Sequence, residues 1–113
     1  MNIQIFGTNK CFDTKKAQRY FKERNIMFQF IDLTQKSLSK GELNSVLANV
    51  GSLDELINEK SKVYEKSYIK YLAGQDAKIE KLLEYGELFK TPIVRNGKLS
   101  TVGYCPEIWK SWE

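Results

Sequence analysis

A strand, a helix and a second strand follow one another at the start of this chain within about 30 residues, and no other feature constrains the fold as much. Residues 2–6 alternate in polarity, as a strand with one buried face does. Thr8 or Asn9 can cap a helix over about 11–24, whose inner face is Ala17, Tyr20 and Phe21. Asn25 suits the left-handed conformation that ends helices, and residues 26–33 then place Ile26, Phe28 and Phe30 at alternating positions. That spacing leaves room for a parallel crossover and little else, so the chain is expected to be α/β.

The middle of the chain reads as helical. Ser39 and Glu42, then Ser52 and Glu55, have the spacing of two capping boxes, with Gly51 separating the helices they would open. Leu43, Val46, Leu47 and Val50 form one apolar stripe, and Leu53, Leu56 and Ile57 begin the next. Further helical turns are expected over 66–72 and 76–85, with Gly74 and Gly86 as stops. Two strands then flank Asn96-Gly97, a pair suited to a tight hairpin. A final short helix opens at Cys105-Pro106, where proline occupies a first-turn position that needs no N–H.

The chain has 113 residues, enough for one domain with a real core. It has two cysteines and no histidine, which argues against a disulfide scaffold, a zinc site or triad chemistry. No metal site is expected. The net charge of +4 arises from basic and acidic residues spread along the chain, and no DNA-reading motif is visible, so no direct DNA contact is expected. The start of the sequence runs straight into a strand pattern without a basic leader or long apolar stretch. The expectation is a protein of the reducing cytoplasm with no membrane contact.

Cys11 stands where the first strand gives way to the first helix. A thiol in the first turn of a helix meets unpaired N–H groups and the positive end of the peptide dipoles, which favour the nucleophilic thiolate. Lys10, Lys15 and Lys16 add to that field. The other common use of a free cysteine is as a small buried residue.

The order of these elements resembles the ArsC/Spx family, which contains glutathione-linked arsenate reductases and Spx-type transcription regulators. The resemblance is carried by Cys11 with Lys15, Lys16 and Ala17 after it, by Leu53-Asp-Glu-Leu-Ile-Asn-Glu-Lys-Ser-Lys-Val-Tyr64, by Leu88-Phe-Lys-Thr-Pro-Ile-Val94, and by Val102-Gly-Tyr104. It implies a thioredoxin-like fold: a mixed four-stranded sheet built as β-α-β then β-hairpin-α, with an all-helical insertion. All 113 residues would form one ArsC-like domain, with the core at about 1–36 and 88–113 and the insertion at about 37–87. It also implies a cis peptide before Pro92, beside the active cysteine.

For function, the resemblance implies a thiol oxidoreductase with Cys11 as its single nucleophile, Thr14 donating to the thiolate, and glutathione or another small thiol as co-substrate. No other cofactor is implied. The substrate would be a small oxyanion or a disulfide. Arsenate reductases of this type hold their oxyanion with three arginines, and the matching positions here are Lys60, Thr91 and either Tyr104 or Cys105. Lysine and hydroxyl groups lack the forked donors of guanidinium, which argues against arsenate itself. Lys90 and Arg95 are near enough in sequence to compensate in part. Spx-type regulators commonly carry Cys-x-x-Cys, whereas this chain reads Cys11-Phe-Asp-Thr14 and has no second thiol at that motif. Cys105 is then a candidate resolving cysteine. The alternative function is an Spx-like regulator that binds the RNA polymerase alpha subunit, with Cys11 as a redox sensor or without a redox role. Gly51 lies near the polymerase contact of such regulators, although a helix stop explains it equally well. Nothing suggests an obligate dimer, so a monomer is expected.

Overall fold

In a computed structural model describing residues 1–113, β1 (Ile3–Gly7), α1 (Phe12–Glu23) and β2 (Phe28–Asp32) form the crossover, with β1 and β2 parallel. A helical segment follows: α2 (Lys40–Val50), α3 (Tyr64–Ser67) and α4 (Gln75–Glu84), with short 3₁₀ turns at Leu53–Glu55, Ile69–Tyr71 and Gly86–Leu88. The chain closes with β3 (Ile93–Asn96), β4 (Leu99–Val102) and α5 (Pro106–Ser111). The sheet order is β2-β1-β3-β4, with β3 antiparallel to both β1 and β4. This is the mixed four-stranded sheet of a thioredoxin-like fold. No helix is long and apolar enough to cross a membrane.

Alternation along the strands divides the core. Ile3, Ile5 and Val94 face α1 and α5, where they pack with Ala17, Tyr20, Phe21 and Trp109. Phe6 and Ile93 face the other way, into a larger cluster of 14 buried residues that includes Leu43, Val46, Leu56, Leu82 and Phe89 from the helical segment. The helical segment is therefore an integral part of the core and shields half of the sheet. Trp109 is fully buried between the two layers of aromatic contacts, with Tyr20 and Phe21 rings at 5.3 and 5.2 Å, and its indole N–H donates to Thr101 Oγ1 at 2.7 Å.

Several local expectations hold in detail. Ser39 and Glu42 form a complete capping box, Gly51 ends α2 in the left-handed region, and Asn25 does so after α1 with φ 57°. Others need correction. The cap of α1 is Cys11 itself, because Thr8 is used in a turn in which the Cys11 N–H donates to the Thr8 carbonyl. At Ser52 no box with Glu55 forms. The Ser52 hydroxyl accepts from the Asp54 N–H and the helix stops after one 3₁₀ turn, since Ile57 bridges to Phe89. The expected helix at 66–72 is split by Tyr68, whose φ of 57° separates α3 from a 3₁₀ turn. In the hairpin the two linking residues are Gly97 and Lys98, with Asn96 still paired to Leu99. Positive φ falls on Gly97 alone, the pattern of a II′ turn rather than one centred on Asn96-Gly97.

Trp109→Ala removes the largest fully buried side chain. Urea unfolding is expected to show a loss of about 3–5 kcal/mol, and a loss under about 1 kcal/mol would contradict this packing.

Candidate functional site

Residues far apart in sequence meet at one end of the sheet because β3 runs antiparallel to β1. Phe6 pairs with Ile93, so the chain leaving β1 towards Cys11 lies beside the chain entering β3 through Thr91 and Pro92. Ile93 also pairs with Val102, which brings Val102 and Gly103 to the same end. The Gly103 N–H donates to the Pro92 carbonyl at 2.8 Å. The Thr91–Pro92 peptide bond is cis.

Cys11 is half-buried at the N-cap of α1, with its backbone extended and no capping bond from its side chain. As a thiol, its Sγ donates to the Thr91 carbonyl at 3.7 Å. Partial burial pushes its pKa up. That effect is outweighed by hydrogen bonds to the anion from the Thr14 and Thr91 hydroxyls and from the backbone N–H groups of Thr14 and Asp13, so the thiol lies below its ordinary range. Thr14 is fully buried and its Oγ1 has no hydrogen-bond partner in the resting arrangement. A hydroxyl proton is free to rotate, so this unused donor is available to the thiolate. Gly7 makes the arrangement possible, since a Cβ there would collide with Thr14 Oγ1.

Cys11 opens into a cleft of about 710 Å³ whose other walls include Glu55, Asn58, Glu59, Lys60, Lys90 and Thr91. The far wall is tied to the near one by backbone bonds, from the Asn58 N–H to the Leu88 carbonyl and from the Lys90 N–H to the Leu56 carbonyl, both at 2.7 Å. The Ser61 hydroxyl donates to the Glu87 carbonyl at 2.7 Å, which fixes the Lys60 loop. The two ion pairs of the molecule are Lys81–Glu84 and Arg95–Glu42, so Lys60 and Lys90 are both unpaired. Arg95 is turned away under α2, where it donates to Gln4 Oε1 at 2.5 Å. No three His, Cys, Asp or Glu side chains converge as metal ligands would.

Of the residues singled out from sequence, Cys11, Lys60 and Thr91 share this cleft, Thr14 lies behind the sulfur, and Pro92 is buried beneath Gly103. Tyr104 lies outside the cleft lining. Its ring stands edge-on to Trp109 at 5.5 Å, with the Lys16 ammonium 5.7 Å from its centre. Cys105 caps α5 and its Sγ donates to the Val102 carbonyl at 3.3 Å. Burial raises its pKa, the Thr101 hydroxyl opposes that, and the Asp13 charge adds to the rise. Sequence reasoning missed Gly7, Asn58 and the acidic pair Glu55 and Glu59. Their roles come from tertiary approach, and only Gly7, a lone glycine at the end of a strand, carried a local signal.

The ArsC family model matches residues 6–112. Among curated proteins, the global transcriptional regulator Spx 2 of Oceanobacillus iheyensis is 29% identical over 109 residues, covering 92% of this chain and 78% of that one. The uncharacterized protein YusI of Bacillus subtilis is 26% identical, covering 92% of each. Among solved structures, an arsenate reductase from Vibrio cholerae superposes with a TM-score of 0.84 at 21% identity, over 98% of this chain and 97% of that one. The chain belongs to the ArsC family.

Thr14→Val keeps the buried volume and removes the spare hydroxyl. The Cys11 pKa is expected to rise, so iodoacetamide should alkylate the variant more slowly than the parent at neutral pH. An unchanged rate would remove Thr14 from the account.

Proposed function

From membership of the ArsC family we propose that this protein is a thiol oxidoreductase in which Cys11 attacks an oxidised substrate. With a disulfide substrate, the thiolate bonds to one sulfur and expels the other as a thiolate. Glutathione or another small thiol then attacks the adduct at the substrate sulfur and returns Cys11 to the thiolate. The observation that carries this reading is the sulfur at the cap of α1, at the edge of an open cleft and surrounded by donors from Thr14, Thr91 and the first-turn amides. Lys60 and Lys90 supply anion contacts on the walls. Neither offers the bidentate fork of arginine, so the reading favours disulfides over arsenate. Cys105 stands outside this cycle: its thiol is bonded to Val102 and its pKa is raised, which suits a resting thiol and leaves release to the external one. A reducing compartment follows from a cycle that ends on a free thiol.

The 29% identity to the Spx 2 regulator supports a second reading, in which the chain binds the RNA polymerase alpha subunit and Cys11 reports redox state. Glutathione-dependent reduction of hydroxyethyl disulfide, run beside a pull-down on immobilised alpha subunit, separates the two. The first reading expects turnover that Cys11→Ser abolishes, without retention. Retention without turnover would establish the second reading in its place.

A further inference from the structure

We propose that the oxidised substrate of Cys11 is a cysteine on an acidic protein surface, which docks over an exposed aromatic platform beside the sulfur. This rests on the reading of Cys11 as a thiol-exchange nucleophile and names the class of its substrate.

The residue after Cys11 is Phe12, at the first position of α1 with 77% of its surface exposed. A phenylalanine so exposed keeps little contact within its own chain beyond the Lys15 ammonium over its ring, and gains stabilisation when another surface covers it. Tyr104 extends the apolar area from the α5 side, 42% exposed and held in place by its edge-on contact with buried Trp109. Ile108, one turn along on α5, is 49% exposed. The Lys16 ammonium over the Tyr104 ring ties this loop to α1, so Phe12 and Tyr104 both lie beside that helix. Phe12 and Tyr104 both lie outside the lining of the cleft, so a small disulfide held in the cleft leaves them uncovered, whereas a polypeptide reaching the sulfur from the α1 side passes over them.

The charge on this side selects the partner's sign. Lys15 and Lys16 hold their ammonium groups 5.8 and 5.7 Å from the Phe12 and Tyr104 rings, and Lys10 precedes the cysteine. Asp13 stands among them, with its charge felt at Cys105, and Glu107 is the exposed acid on α5, against three lysines around the start of α1. The cleft lining holds two charges of each sign, Lys60 and Lys90 with Glu55 and Glu59, so the basic excess lies on the α1 side. An acidic segment is therefore drawn to the platform next to the sulfur, and a basic one is repelled. In the step itself, the Cys11 thiolate forms a bond to the partner's cysteine sulfur, and the group formerly disulfide-bonded to that cysteine leaves as a thiolate.

Short peptides of sequence Glu-Phe-Cys-Glu and Lys-Phe-Cys-Lys, each carrying thiopyridine on the cysteine as a mixed disulfide, provide the test. Release of thiopyridone is followed by absorbance, the adduct is mapped to Cys11 by mass spectrometry, and neutral dithiodipyridine is the reference probe. The acidic peptide is expected to react about tenfold or more faster than the basic one, with the difference shrinking as salt is raised. Phe12→Ser should slow the acidic peptide by about fivefold while leaving dithiodipyridine unchanged. Lys15→Glu with Lys16→Glu should reverse the acidic-to-basic ratio. Equal rates for the two peptides, or a Phe12→Ser effect of equal size on dithiodipyridine, would overturn the docking surface while the thiol chemistry stands. Failure of dithiodipyridine itself to react at Cys11 would overturn the nucleophile reading on which the proposal rests.

Discussion

The central position of β1 in the sheet is the constraint on which the rest depends. It pairs in parallel with β2 on one side and antiparallel with β3 on the other. The parallel pairing requires a helix to cross over, and α1 supplies it with a free N-terminal end immediately after the strand. The antiparallel pairing brings Thr91 to that same end from 80 residues away. Cys11 meets Thr91 as a consequence of the register Phe6 to Ile93, and a shift by one residue would exchange the side chains that the moved strand presents to the two cores.

Around that junction, the two cores contribute one wall each. The smaller core holds α1 and α5 in place through Phe21 and Trp109, and so sets the direction of the helix end that carries the sulfur. The larger core closes the helical segment onto Phe6 and Ile93, and the bridge between Ile57 and Phe89 brings Asn58 and Lys60 opposite Cys11. The helical segment therefore gives the cleft its far wall as well as covering the sheet. Gly7 links the core to the chemistry. Without a side chain, it lets α1 approach β1 closely enough for the Thr14 hydroxyl to be buried next to the sulfur with no other partner.

Much of this was legible in the sequence, and the boundary is a physical one. Signals that act within a turn were read correctly: the Ser39–Glu42 box, the left-handed Asn25 and Gly51, and proline opening α5; β1 was found as a strand, but its alternation suggested one buried face where its central place in the sheet buries both. Signals that compete with tertiary contacts were not. Ser52 and Glu55 have capping-box spacing, yet the chain there is drawn into pairing with Phe89 before a helix can extend. Asn96-Gly97 is a strong turn pair, but the register keeps Asn96 in β3 and moves the turn on by one residue. In the site, Cys11 and Thr91 were legible through motif and resemblance. The direction of Arg95 towards Gln4, and of Tyr104 towards Trp109, depends on which sheet face and which helix each one meets.

The account places a stabilised anion at one sulfur and an ordinary resting thiol at the other, so the two cysteines of the same chain serve as each other's control. Labelling both at Cβ and following their chemical shifts against pH measures this directly. Cys11 should titrate below the usual thiol range and Cys105 above it. A Cys11 midpoint at or above that of Cys105 would contradict the claim that the end of α1 holds a reactive thiolate.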